Sequence, residues 1–411
     1  MSDYIRTVRG REILNANGKP TVEAELQTQN GIRTVASVPS GTSRGKYEAY
    51  ELYDGGARFD GFGTRAAAGN ITGPISNALT GMDITKQEET DRILCELDGT
   101  PNKERLGGNA ILAVSVAAAR AGAIASGLPL YRYISGGKRP VRMPDIIATV
   151  MSGGVFSGSG MEFEDYMYLF HSFENFPDEL EALVHLRRSL ERKLREKYGN
   201  FPEDGGALGA PCSSTAEAFG WMLDNAGEEG YDSRVSLGLD VAASELFAAD
   251  TGKYRLGSNR VLTAEQLLGY YAELCGRYPL TLIEDGFDQD DFESFAKLKE
   301  RQPAIQVVGD DLFVTNPERL KMGIRQDSAN ALLLKINQVG TVTEALRAND
   351  LARENGYDVI VSLRSGETTD DFIADLAVGI GARQIKLGSP VRAERNTKYN
   401  RLLEIHQELF P

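Results

Sequence analysis

Residues 280–335 read LTLIEDGFDQDDFESFAKLKERQPAIQVVGDDLFVTNPERLKMGIRQDSANALLLK. Three short apolar runs punctuate this stretch, and each stops at a charged side chain. Leu280-Thr-Leu-Ile ends at Glu284, Ile305-Gln-Val-Val-Gly at Asp310 and Leu332-Leu-Leu at Lys335. The same rhythm continues outward on both sides. Val235-Ser-Leu-Gly-Leu ends at Asp240, Val359-Ile-Val-Ser-Leu at Arg364 and Gln384-Ile at Lys386. Successive charged ends lie 44, 26, 25, 29 and 22 residues apart, the size of a strand plus a helix. Such alternation implies a parallel sheet. Six units, with strands near Ala148–Val150 and Tyr166–Phe170, close a barrel of eight. In such barrels the functional side chains sit at the carboxyl ends of the strands.

Upstream the pattern changes. Thr21–Gln27 alternates as a half-buried strand does, and Arg33–Val38 follows a turn at Asn30-Gly31. A loop of small residues, Pro39-Ser-Gly-Thr-Ser-Arg-Gly45, comes next. Helical patterns then run from Ala66 to Gly127, including the Ala-rich Asn109–Ser126. Gly136-Gly-Lys-Arg-Pro140 reads as a linker. A chain of 411 residues exceeds what one hydrophobic core serves. The fold class expected is therefore α/β: an α+β domain over residues 1–137, then a barrel of the (β/α)8 TIM type over 138–411.

Hydrophobic residues make up 41% and charged residues 25%, and the net charge is −14. That balance argues against nucleic acid, which needs a basic surface. The scattered Cys95, Cys212 and Cys275 form neither a disulfide framework nor a metal cluster, which suits a reducing, cytoplasmic setting. No signal segment and no apolar stretch of membrane-spanning length is read, so no membrane partner is expected. With only His171, His185 and His406, histidine chemistry is poorly supplied.

Asp240, Glu284 and Asp310 come from three successive strand ends and must converge. Three carboxylates stay ionised together only beside a compensating cation. Oxygen ligands without His or Cys suit Mg²⁺. The alternative is that Lys335, Arg364 and Lys386, on the same rim, neutralise them directly. Lys335 is positioned as a base, because a nearby divalent cation lowers an ammonium's pKa. A metal gripping a substrate carboxylate also stabilises the enolate formed when the adjacent carbon loses its proton. Arg364 and Lys386 remain to hold the substrate's anionic groups.

These stretches, with VPSGTSRGKYEAYEL, SLGLDVAASELF, LLLKINQVGTVTEAL, LRSGETTDDFIADLAVG and RQIKLGSPVRAERNTKYN, resemble the enolase family over nearly the whole chain. The resemblance implies that the N-terminal domain caps the barrel, that the protein is a homodimer and that it uses two Mg²⁺ ions. It implies Asp240, Glu284 and Asp310 on the first ion and Ser43 on the second. Lys335 matches the base, Arg364 and Ser365 the phosphate-binding pair, and Lys386 the lysine facing the substrate carboxylate. The substrate class implied is a small phosphorylated carboxylic acid.

The chain also departs from the family. Leu363 and Phe156 stand where the family has histidines, Asp165 and Asp204 where it has glutamates, and Arg44 where it has threonine. Shortening a carboxylate by one methylene withdraws it by about 1.5 Å. These changes flank the leaving hydroxyl, so a remodelled pocket is expected, like that of the carboxyphosphonoenolpyruvate synthases of phosphonate antibiotic pathways. In that reading Asp204 and Asp165 handle protons near substrate C3, and Arg44 or Lys46 meets the phosphonate of a nucleotide-activated phosphonoformate. The alternatives are an ordinary phosphopyruvate hydratase, converting 2-phosphoglycerate to phosphoenolpyruvate, and a noncatalytic binding protein of the same fold.

Overall fold

A computed structural model describes residues 3–41, 45–154, 159–257 and 260–411. The chain opens with a three-stranded antiparallel sheet, β1 (Ile5–Leu14), β2 (Pro20–Thr28) and β3 (Arg33–Ser37), in the order β1-β2-β3. Strand β1 escaped the sequence reading because Arg6, Arg9 and Arg11 obscure its alternation. The helix Gly108–Ala125 packs on β2 and β3, and the Thr34 hydroxyl donates to Ala117 O at 2.8 Å. This helix is apolar and 18 residues long, enough by length and composition to cross a membrane, which corrects the reading that no stretch approached that size. It is 83% buried within the protein, and its apolarity all round is what a core helix needs.

From residue 145 onward eight strands close on themselves. In spatial order they are β4 (Asp145–Ser152), β5 (Asp165–Phe170), β8 (Val235–Asp240) and the strands Leu280–Glu284, Gln306–Gly309, Ala331–Leu334, Asp358–Ser362 and Gln384–Lys386, the last pairing back onto β4. A small hairpin, β6 (Glu203–Asp204) and β7 (Ala207–Leu208), attaches beside β4 through Met151 and Leu208. Ile147, Met167, Leu169, Leu282, Val308, Ala331, Leu333 and Ile360 fill the barrel's interior. Around it, the helices begin at polar caps: Ser214, Thr263, Asp291, Asn316 and Thr341 each accept a backbone N–H with the side chain. Each cap satisfies an otherwise orphaned donor and sets where its helix starts.

The barrel is not wholly parallel. Strand β5 runs antiparallel to both β4 and β8. Antiparallel neighbours can be joined by a short link, whereas parallel strands need a longer crossover. The consequence is functional: Asp165 opens β5 yet pairs in register with Asp240, which closes β8. A strand's first residue thereby reaches the rim formed by the other strands' last residues.

The N-terminal sheet and helix hold the barrel at that rim. Arg120 pairs with Asp370 at 2.6 Å and with Asp371 at 2.7 Å. Ser40 and Gly366 exchange two backbone hydrogen bonds at 2.9 Å. A Cβ on Gly366 would lie 2.7 Å from the Ser40 carbonyl, so only glycine permits this approach. Ser40 is thus set beside the turn that carries Arg364 and Ser365. Thr42, Ser43, Arg44 and Phe156 lie outside the described residues.

At the opposite end of the barrel, buried Glu179 accepts the backbone N–H of Ile146 at the start of β4. Burial pushes its carboxyl up from 4.5 to about 8. The folded protein therefore favours the protonated form. That contribution is fully present below the unfolded value and is lost as pH rises through about 8. Stability is expected to fall between about pH 5 and about pH 8, by up to about 1.4 kcal/mol per pH unit. Glu179→Gln keeps the acceptor and should flatten that slope in denaturant titrations at the two pH values.

Candidate active site

A cavity opens at the rim. Its described lining includes the carboxylates of Glu164, Asp165, Asp204, Asp240, Asp285, Asp310 and Asp311. Against these seven stand four cations, Lys335, Arg364, Lys386 and Arg395. Leu363, Ser365 and Thr149 also face it, whereas His171, His185 and His406 do not contribute to the described lining.

Lys386 sits at the centre. Its ammonium pairs with Glu284 at 2.8 Å, Asp240 at 2.9 Å and Asp165 at 3.3 Å. Burial opposes its charge, but the three carboxylates hold it well above its ordinary value. Lys335 pairs with Asp310 Oδ2, whose Oδ1 accepts from Gln338 Nε2 at 2.7 Å. The sequence thus left two arrangements open, cation-bridged or lysine-bridged carboxylates, and the protein alone shows lysine bridges. Burial lowers the Lys335 pKa, yet Asp310 and Glu284 outweigh it and leave the value raised. This is opposite to the lowering expected beside a divalent cation, because here the nearest charge is a carboxylate.

Do these residues nevertheless fit a hard divalent ion? The excess of carboxylates over cations speaks for it. So does Glu284: its Oε1 is buried without a hydrogen-bond partner among the described residues. Burial, and then Asp240, raise its carboxyl well above the ordinary range. Asp240 is likewise pushed up by burial, but Lys386 and Lys335 bring it below its usual value. Asp285, Asp310 and Asp311 form a second trio with oxygens within 4.8 Å of one another. Asp285 is a poor ligand, however. It sits at φ +43°, and its two oxygens accept the backbone N–H groups of Asp310 at 3.0 Å and Asp311 at 2.7 Å. It staples the turn that presents Asp310, whereas Glu284 keeps one oxygen without a partner among the described residues, which favours a donor set that includes Glu284.

Arg364 was expected to face phosphate. In the structure its guanidinium forks onto Glu48 of the N-terminal domain, at 2.9 and 3.2 Å, and reaches Asn337 at 3.1 Å. Asp165 is engaged by Lys386 and by the Thr149 hydroxyl at 3.0 Å. Asp204 is exposed on the β6–β7 hairpin at the cavity mouth, and Leu363 is buried in the wall, its N–H on Lys386 O at 3.1 Å.

The sequence reading passed over five participants. Asp285 and Asp311 double the acids Glu284 and Asp310, a signal that adjacent carboxylates could have given. Glu164 precedes β5; one of its oxygens is buried without a partner among the described residues, and burial, Asp240 and Asp165 raise its carboxyl well above the usual range. Glu48 and Arg395 arrive through tertiary packing that no local pattern announces.

Comparison with known proteins places this site. Residues 140–410 match the family model described as "Enolase, C-terminal TIM barrel domain", and residues 5–134 match "Enolase, N-terminal domain". The chain belongs to the enolase family. It is similar to the enolase of Methanopyrus kandleri, with 45% identity over 412 residues covering 98% of this chain and 96% of the relative. It is 44% identical to the enolase of Methanothrix thermoacetophila over 100% of this chain and 97% of that protein. It is 45% identical to the enolase of Pyrococcus furiosus over 98% and 94%. Family membership makes this an enolase-superfamily enzyme, a lyase acting through a metal-stabilised enolate.

These full-length relatives overturn the expectation of a carboxyphosphonoenolpyruvate synthase. The nucleotide-activated phosphonoformate that this reading required goes with it.

Proposed function

We propose that the protein converts 2-phosphoglycerate to phosphoenolpyruvate, as an ordinary phosphopyruvate hydratase. The observation that carries the proposal is Lys335, whose ammonium lies against Asp310 on the rim where Asp240 and Glu284 end their strands. Those three carboxylates would hold Mg²⁺, which when bound stabilises the charge that builds on the substrate carboxylate. The net negative lining supports two such ions, since an anionic substrate must enter it, and Ser43 is the proposed ligand to the second. Lys335 takes the proton from C2. It does so as the neutral amine, which requires that Asp310's charge be shared elsewhere, because pairing with Asp310 favours the ammonium. Asp204, at the mouth, delivers a proton to the departing C3 hydroxyl, so that water leaves and the double bond forms. Arg364, Ser365 and Lys386 orient the phosphate and carboxylate.

The test is direct. Purified protein with 2-phosphoglycerate and MgCl₂ should generate the ultraviolet absorbance of phosphoenolpyruvate, and no absorbance change would reject the proposal. Asp204→Asn should lower kcat by about 10²- to 10⁴-fold, the usual contribution of a general acid, with KM nearly unchanged in steady-state assays.

A further inference from the structure

Asp204 occupies a precarious support. Strands β6 and β7 are two residues each. A ribbon so short has little stability of its own. A carboxylate that must meet a leaving group, however, has to be held to a fraction of an ångström.

Three arginines supply what the ribbon lacks. Arg187, 1% exposed, donates its Nε and Nη2 to Gly206 O at 3.0 and 2.8 Å and pairs with Glu203 at 3.3 Å. Arg195 pairs with Glu203 at 2.8 Å. Both grip the hairpin from outside the cavity. The third, Arg395, differs. It comes from the helix Ala393–Leu409, which follows the strand carrying Lys386, and it lines the cavity.

The Arg395 guanidinium is wedged between two glycines. A Cβ on Gly205, the residue after Asp204, would lie 2.2 Å from Nη2. A Cβ on Gly388, two residues past Lys386, would lie 1.9 Å from Nη1. Nη1 donates to Leu387 O at 3.4 Å, and Nε is buried without a partner among the described residues. No carboxylate forms a salt bridge with Arg395 among the described residues, unlike Arg187. Burying a guanidinium this way is costly. Buried donors left incomplete call for an explanation, and a functional constraint is a common one.

We infer that Arg395 is a positioning residue: it locks the turn behind Asp204 to the turn behind Lys386, and so fixes the proton donor's height over the substrate. The inference rests on the proposed role of Asp204. It separates the two halves of the reaction, because the proposed base, Lys335, follows the strand Ala331–Leu334 and belongs to neither of the two turns that Arg395 joins.

The test uses the Mg²⁺-loaded full chain with 2-phosphoglycerate, comparing Arg395→Met and Arg395→Lys with the wild type. Expected for Arg395→Met are a kcat roughly 10- to 100-fold lower and a KM within about 3-fold. Exchange of the C2 hydrogen with D₂O should also stay within about 3-fold of wild type. Amides 204–208 should exchange faster in hydrogen–deuterium experiments. Arg395→Lys, which can still donate to Leu387 O but cannot span both turns, should recover part of the kcat. Near-wild-type kcat in Arg395→Met would overturn the inference, and so would C2 exchange falling in step with kcat. If Arg395→Met does not fold, Arg395→Lys is judged by the same criteria. Failure of the underlying reading looks different: Asp204→Asn would then turn over normally, whatever the Arg395 variants do.

Discussion

Lys335→Ala is expected to lower kcat by about 10³- to 10⁴-fold and to abolish C2 hydrogen exchange, because it removes the only group assigned to take that proton. It should also destabilise the protein. Lys335 and Asp310 form a largely buried pair, and deleting one partner strands the other. Such losses run to roughly 3–5 kcal/mol. Activity loss in this variant alone would therefore be ambiguous, and Lys335→Arg resolves it. Arginine restores a cation beside Asp310 but does not give up its proton at working pH. It should melt close to wild type and remain inactive. A Lys335→Arg enzyme that turned over at more than a few per cent of the wild-type rate would show that another group is the base.

The second large effect is expected at Glu284. Its Oε1 has no partner among the described residues, and burial with Asp240 nearby raises its carboxyl well above the ordinary range. Without a divalent ion, this residue favours its proton. Its stabilising contribution is therefore complete at low pH and is lost as pH rises. Glu284→Gln copies the protonated shape and can still accept from Lys386. The variant should melt at or above the wild-type temperature in EDTA. A divalent ion reverses the comparison, since it binds the carboxylate and not the amide. For wild type, MgCl₂ at about 100 times its Kd should add about 2.7 kcal/mol of stability. Glu284→Gln should lose most of that gain and at least about 10³-fold of kcat. Thermal melts with EDTA and with MgCl₂ measure both arms. Equal Mg²⁺ stabilisation in the two proteins would remove Glu284 from the ligand set.

Much of this site was legible before any coordinates. The rim residues follow from the barrel's rhythm, because a strand's carboxyl end and the onset of its loop are marked by one change from apolar to charged. Asp240, Glu284 and Lys386 close their strands, and Asp310 and Lys335 follow theirs by one residue. What local pattern could not give was direction and pairing. The reversal of β5 depends on a connection whose geometry is not encoded in periodicity, and it alone explains why Asp165 meets Asp240. Glu48 reaches Arg364 across 316 residues of chain. Arg395 reaches Gly205 only because two turns are stacked in space. The substitutions at Leu363, Asp165 and Asp204 were visible as departures, but their meaning was overread. A change of side chain beside a leaving group does not name a new substrate, and relatives identical at about 45% along the whole chain weigh more.

The central claim is that a carboxylate-bound Mg²⁺ and Lys335 together labilise the hydrogen on C2. It is tested most directly by following that hydrogen. With 2-phosphoglycerate in D₂O and MgCl₂, wild-type protein should wash deuterium into C2 of the recovered substrate, visible as loss of the C2 proton resonance. EDTA should stop the exchange, and so should Lys335→Arg. Exchange that continued in either case would contradict the account.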